Sequence, residues 1–546
     1  MKRHTPRTLA LALEHHLFRK DGAWLARFIP PKMQAALRRR ARAKYLMWDA
    51  RQYAEWLKPH LARRRALYQA PLQRGLLSIA TPVWDGTPLP YLELLAESIG
   101  VQNGDGACEW VVLDNGCQKA DVLAYLQKLK ERSGVKLCRN ARNEGIVGGL
   151  RTCLEQARGR YLLPVDSDDW LYPDCLQIVQ AWIQQNNYPP LLYSDEDKVI
   201  GRHAVQPYFK PDFDPVLLLN SAYIAHLGVI DRKLALELGA YSDRHAEGSP
   251  DWDCFVRFYC AGHAAVHIPE VIYGWRMHPE STADDAGSKP YIHESQRTVL
   301  QRFLDARGLA HVQEIVYSPL LPGSCDWWYQ RKQEAAPEMV LIRPSAETHP
   351  GDVLRLAGEN DGLLCILGEA VTVESDDWQW DALALFERHA DAVMIGGRIV
   401  GSDGVIRDGG RVMGFGSGCE CPDRGRPVVD PGYFTQLRKQ RSVSAVSSQF
   451  AVIKLSFLRA MAEAGELEGV SMAFLGAWAG AFALRRKQRI IYSPFLSGRS
   501  DFDWDELVTA EERARFVEQN RDILPDQRFY PRYFGLDASS AYRLRQ

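Results

Sequence analysis

The chain has 546 residues, enough for two or three domains with cores of their own. Its 46% apolar and 25% charged residues exclude a disordered, collagen-like or polytopic membrane chain. The net charge of −1 hides an asymmetry: residues 1–75 carry 18 Lys and Arg against 4 Asp and Glu, a surplus of +14 that leaves −15 for the remainder.

That basic opening is predicted to be helical. Leu9, Leu13 and Leu17, then Trp24, Leu25 and Phe28, recur at three- and four-residue spacing, and Pro30 and Pro31 divide the segment. Two readings fit residues 1–74. One is a face laid on anionic lipid through Arg38, Arg39, Arg40, Arg42 and Lys44 beside Trp24 and Phe28; the other is a helical collar packed on the next domain. Nucleic acid is a poorer partner, because no reading helix or aromatic sheet motif accompanies the charge.

From Leu76 the period changes. Short apolar runs at Leu76–Ala80, Glu109–Leu113, Val135–Cys138 and Tyr161–Val165 alternate with helical spacing at Leu89–Ile99, Asp121–Arg132 and Gly149–Ala157. Strands alternating with helices predict an α/β fold with a parallel, doubly wound sheet. Ligands of such sheets bind beyond the carboxyl ends of the strands, so Pro82, Asp114 and Asp166 are expected at one crevice. The strand ending at Val165 runs into Asp166-Ser167-Asp168-Asp169, a density of hard oxygen ligands suited to Mg²⁺ or Mn²⁺ beside a diphosphate. The alternative is that Asp169 or Asp174 caps the helix beginning near Pro173. Eleven scattered cysteines with no C-x-x-C pair suggest neither zinc nor disulfides and fit a reducing cytosol. Thr8–Leu13 is too short for a signal peptide, and the longest apolar run, Val470–Leu484, falls below the ~20 residues of a membrane span and is expected to be a buried helix.

The succession Ile79-Ala80-Thr81-Pro82-Val83, Val111-Val112-Leu113-Asp114-Asn115-Gly116, Asn143-Glu144-Gly145-Ile146, Ala157-Arg158-Gly159-Arg160-Tyr161, Asp166-Ser167-Asp168-Asp169, Tyr193-Ser194-Asp195-Glu196-Asp197-Lys198 and Trp275-Arg276-Met277-His278-Pro279 resembles family 2 glycosyltransferases, especially bacterial members that build O-antigen, capsule and other surface polysaccharides. The resemblance implies a GT-A fold over residues 75–285 and transfer of a sugar, with inversion, from a nucleoside diphosphate donor. It implies that Pro82, Val83, Asp114 and Arg151 line the nucleotide, that Asp166 reaches the ribose and that Asp168 holds the metal. Arg276 is expected on the phosphates and His278 on metal or diphosphate. Gly248-Ser249-Pro250-Asp251-Trp252-Asp253 resembles the segment that carries the catalytic base, with Asp251 at the base position; the bland alternative is that Asp251 or Asp253 caps a helix over Cys254–Cys260. Two departures touch nucleotide preference: Asn115 where the family often has a second acid, and Trp84-Asp85 where it has an aromatic followed by Asn.

Residues 286–325 are expected to form a helical bridge and 326–546 a second, incomplete GT-A-like domain. There Leu363–Leu367 aligns with the metal-site strand but continues as Gly368-Glu369-Ala370, and the base segment has become Phe474-Leu475-Gly476-Ala477. This copy is expected to be inactive: a structural module, a holder of acceptor or a dimer surface. A displaced metal site at Glu369, Asp376 and Asp377 is the lesser alternative, and Trp327, Trp328, Trp378 and Trp380 are expected to pack more than to stack on sugars. The function expected is a hexosyl- or deoxyhexosyl-transferase using UDP- or dTDP-sugars with Mn²⁺ or Mg²⁺. It would act on a glycan or lipid-linked acceptor in the cytoplasm, with peripheral contact to the inner membrane. The alternative is a non-catalytic nucleotide-sugar-binding or scaffold subunit of a polysaccharide assembly complex. A nucleotidyltransferase ranks last, because Thr81–Gly86 lacks basic groups for a triphosphate.

Overall fold

A computed structural model describes residues 50–277, 290–321, 325–332 and 338–545. The expected helices before residue 50, the basic cluster they carry and His278 lie outside the described residues. The chain divides into two compact units, one holding residues 50–311 and 315–328, the other 312–314 and 329–545.

The first unit is built on one sheet. Its strands are β1 (Leu77–Val83), β2 (Glu109–Asn115), β3 (Val135–Asn140), β4 (Tyr161–Pro164), β5 (Trp170–Leu171), β6 (Leu191–Ile200), β7 (His203–Tyr208), β8 (Gly228–Asp231) and β9 (Val266–Arg276). They lie in the order β3-β2-β1-β4-β8-β6-β9-β5, with β7 on β6. Every residue of β1 is buried, as a central parallel strand covered on both faces requires. The sheet is parallel from β3 to β4, and then departs from the fully parallel expectation, because β8 runs antiparallel to both β4 and β6. The register sets Val83 opposite Asp114 and Asp114 opposite Arg139, which brings the strand ends and the Asp166 loop to one edge.

Two proposed boundaries shift. The Ala50–Leu67 helix belongs to this unit: the Tyr53 hydroxyl donates to Asp197 at 2.9 Å, and the Arg64 guanidinium forks onto Asp174 at 2.8 and 2.7 Å. Asp174 stands at the N-cap of the Cys175–Gln185 helix but makes no side-chain cap bond; its carboxylate faces Arg64 instead. The Pro290–Ala306 helix, expected as a bridge, also falls in the first unit and packs on the Pro250–Cys260 helix.

The second unit has its own sheet, ordered Met339–Ile342, Leu363–Leu367, Phe450–Lys454, Ala392–Val400, Arg489–Arg499, Thr372–Val373. The apolar run from Val470 contains the helix Leu475–Arg485, buried from Leu475 to Ala483 because its Gly and Ala residues admit close neighbours on every side. No described helix is long and apolar enough to cross a membrane. All eleven cysteine thiols are free. Trp327, Trp328 and Trp378 are buried, as packing residues are. Glu369, Asp376 and Asp377 are exposed and are not drawn into a ligating group.

Candidate active site

Pro82 and Val83 close β1 and are buried. Gly149 of the Gly145–Gln156 helix seats directly on that strand end, for a Cβ there would stand 3.0 Å from Cβ of Pro82. Asp114 accepts from the Cys117 N–H at 2.8 Å and faces Arg139 Nε at 3.2 Å. Asn115 is saturated: its amide donates to Asn143 Oδ1 at 3.2 Å and the Gly145 carbonyl at 3.0 Å, while its Oδ1 accepts from Asn140 Nδ2 at 2.9 Å and the Glu144 N–H at 3.2 Å. Asp85 likewise serves the backbone, accepting from the N–H groups of Gln118 and Lys119.

Past β4, the Asp166–Asp169 loop is held from behind. The Tyr273 hydroxyl and the Arg276 N–H both donate to Asp169, and burial first, then the charges of Asp166 and Asp168, raise that carboxyl well above its ordinary range. Arg276 is only 1% exposed, and its guanidinium donates to the carbonyls of Asp168 at 2.7 Å and Gly201 at 2.6 Å, so it braces the loop. Arg151 bonds Glu155 at 2.6 Å and the Ala240 carbonyl at 3.3 Å, and it does not line the cavity described below.

Asp166 is half exposed and stands 3.7 Å from Nε2 of His226, whose Nδ1 lies 3.3 Å from Glu196. The imidazole stacks on the Tyr273 ring at 4.8 Å. Burial opposes charge on His226, but Asp166 and Glu196 outweigh it and hold the imidazole well above its usual range. Asp166, Asp169 and His226 each bring a ligand atom within 4.8 Å of the others, a set of hard oxygens and one imidazole whose chemistry fits Mn²⁺ or Mg²⁺. Among the described residues this is the group drawn together, with Asp168 adjacent in the same loop.

The base segment resolves into two different carboxylates. The helix starts at Pro250, earlier than expected, because proline's fixed φ and missing N–H suit the first helical position; Ser249 is the N-cap, so neither acid caps. Asp253 is 1% exposed and accepts from Arg257 Nε at 2.6 Å and Arg302 Nε at 2.8 Å. Asp251 instead lines a cavity of about 300 Å³ together with Pro164, Asp166, His226 and Glu247. Burial pushes its carboxyl up to about 6, with His226 and Tyr241 opposing the rise and Asp166 adding to it.

Sequence reasoning missed His226, Tyr241 and Glu247, none of which sits in a motif or periodic pattern. Glu247 accepts from the N–H groups of Ile146 at 2.5 Å and Val147 at 3.2 Å, satisfying two orphan donors at the start of the Gly145–Gln156 helix. Gly145, at φ +75°, makes room, since a Cβ there would lie 2.2 Å from Glu247 Oε1. A residue four before Asp251 thus ties the base segment to the helix seated on β1. Glu247→Ala is expected to lower kcat by about 10-fold or more through misplacement of Asp251, with a smaller change in nucleotide Kd, as steady-state kinetics and calorimetry would show.

A sheet that switches from parallel to antiparallel beside an acidic loop, with a buried carboxylate across the cavity, defines a nucleotide-sugar transferase fold of the GT-A type. Residues 78–235 match the family model for glycosyl transferase family 2. The uncharacterized protein y4gI of Sinorhizobium fredii is 26% identical over 472 residues, 75% of this chain and 51% of that protein. The O-antigen biosynthesis protein RfbC of Myxococcus xanthus is 28% identical over 208 residues, 37% of this chain and 16% of RfbC. The poly(ribitol-phosphate) beta-N-acetylglucosaminyltransferase TarS of Staphylococcus aureus is 29% identical over 148 residues, 27% of this chain and 25% of TarS. The chain therefore spans about half the length of the first of these relatives and less of the others. Among solved structures, residues 1–349 of S. aureus TarS with UDP-GlcNAc are similar over 43% of this chain and 71% of that one, at 21% identity and a TM-score of 0.37.

Proposed function

We propose that the chain is an inverting, metal-dependent glycosyltransferase. It moves a hexosyl or deoxyhexosyl group from a nucleoside diphosphate-sugar, UDP or dTDP by preference, to a hydroxyl of a growing surface glycan or lipid-linked acceptor. The observation that carries this reading is the one cavity shared by Asp166, His226 and Asp251 at the strand ends. The names of two relatives support it, one an O-antigen biosynthesis protein and the other a beta-N-acetylglucosaminyltransferase. The proposed place of work is the cytoplasm, at the inner face of the membrane where lipid-linked acceptors are presented.

In this mechanism Asp251 accepts the proton of the acceptor hydroxyl as its oxygen attacks the anomeric carbon and the bond to the diphosphate oxygen breaks. A carboxyl lifted to about 6 is ionised at neutral pH, and it is a stronger base than an exposed aspartate. Tyr241 bonds the Asp251 carboxylate and keeps it oriented, while Arg276 and Tyr273 fix the acidic loop opposite. Asp166 and Asp168, with His226 or His278 as nitrogen donor, would hold the divalent cation. Such a cation supplies positive charge for the leaving diphosphate without proton transfer.

The test is nucleoside diphosphate release from UDP-, dTDP- and GDP-sugars with Mn²⁺, together with thermal stabilisation by each diphosphate plus Mn²⁺. Release and stabilisation by one donor class, both lost in Asp168→Ala, are the expected result. Silence in both assays would favour the non-catalytic subunit.

A further inference from the structure

We infer that residues 338–545 repeat the first sheet strand for strand with its donor-binding half deleted and its site residues replaced, so that the chain has one donor site and not two. The inference rests on the reading of Asp166, Asp168 and Asp251 given above. In chain order β1, β4, β5, β6, β7, β8 and β9 correspond to Met339–Ile342, Leu363–Leu367, Thr372–Val373, Ala392–Val400, Ile406–Asp408, Phe450–Lys454 and Arg489–Arg499. The spatial order of these seven strands is the same, and so is the sense of each of their pairings; the second sheet adds Arg441–Val443, antiparallel to Arg489–Arg499. The pairs β1–β4 and β6–β9 are parallel, as are their counterparts; β4–β8, β8–β6, β5–β9 and β6–β7 are antiparallel, again as their counterparts are. Helices fall in the same gaps: Cys175–Gln185 and Trp378–Arg388 are each 11 residues, and so are Pro250–Cys260 and Leu475–Arg485. What is lost is β2 and β3, for only the helix Pro350–Ala357 separates Ile342 from Leu363.

The registers give residue equivalences without any sequence alignment. Tyr161 pairs with Leu77 and Asp231 as Leu363 pairs with Met339 and Lys454. Counting on from those positions, Asp166, Asp168 and Asp169 become Gly368, Ala370 and Val371. The next strands then coincide, Trp170–Leu171 with Thr372–Val373. Leu171 pairs with Tyr273 and Val373 with Gly498, so the buried Asp169–Tyr273 bond has turned into an apolar contact in which Val371 packs over Gly498. Gly228 pairs with Tyr193 as Ala451 pairs with Gly396, which sets Gln449 in place of His226 and Ile399 in place of Glu196. Asp251, second residue of its helix, becomes Gly476.

The corresponding hollow is also closed. A Cβ at Gly476 would stand 1.8 Å from the Val446 carbonyl, and one at Gly480 2.3 Å from that of Ser444. The backbone of residues 444–448 therefore lies flush against the helix where, in the first unit, Asp251 opens onto a cavity.

The experiment is the stoichiometry of UDP, dTDP and GDP binding with Mn²⁺ to the full chain, by calorimetry and native mass spectrometry, alongside Asp168→Ala. One nucleotide per chain, absent from the variant, is expected. A second nucleotide, or one that survives Asp168→Ala, would overturn the inference. No binding of any would overturn the transferase reading while agreeing that the second unit holds no donor. Independently, Gly476→Ala is expected to lower the melting temperature by more than about 5 °C, because the new methyl has no space. An unchanged melting temperature would refute the closed packing.

Discussion

Asp251→Asn is expected to cut turnover by about 10²–10⁴-fold, the usual contribution of a positioned general base, while leaving donor affinity near that of the wild type. The fold is expected to gain from the same change. Asp251 has its carboxyl raised from 3.8 to about 6 by burial, so between those values the folded chain binds more protons than the unfolded one. Stability is therefore lost as pH rises through that window, and above it the buried charge costs the fold about 3 kcal/mol. An amide removes this cost, and the melting temperature at pH 7 is expected to rise by a few degrees. In the wild type, kcat/KM should fall on the acid side with an apparent pKa near 6, and the limb should vanish from the residual activity of the variant. Loss of activity with unchanged or lowered stability, and no change in the pH limb, would argue against a base at this position.

Asp253→Asn, two residues along, is expected to do the opposite. Its carboxylate is buried and receives both Arg257 and Arg302. Removing one partner of a buried ion pair leaves the other charges without compensation, a loss of about 3–5 kcal/mol. Denaturant unfolding should show a lowered midpoint at unchanged slope, and activity should fall only as far as the folded population does. The two variants together separate chemistry from architecture within one turn of helix.

The first sheet was legible in the sequence because parallel strands covered on both faces read as unbroken apolar runs. Leu76–Ala80, Glu109–Leu113 and Tyr161–Val165 are such runs, and each overlaps an observed strand. The acidic loop was legible because it follows a strand end directly. What stayed hidden depends on pairing across long sequence distance. His226 has no local signal; its meaning comes from Asp166 and Glu196, which approach it only once β8 enters antiparallel beside β4. The directions taken by Arg151 and Arg276 stayed hidden for a related reason. An arginine near a phosphate motif looks the same in sequence whether its guanidinium faces the ligand or a carbonyl behind the loop. The repeat in the second unit was partly visible as motif fragments, but its equivalences rest on strand register, which the replaced residues no longer advertise.

The saturated Asn115 changes the meaning of the family's missing second acid. Its amide has carbonyl and amide oxygens on the donor side and N–H groups on the acceptor side, so a carboxylate there would set like against like at two of four contacts. The corner is thus a keyed joint between the end of β2 and the segment from Asn140 to Gly145. An acid in place of Asn115 would loosen this joint, since the two oxygens it faces on the donor side could no longer be paired.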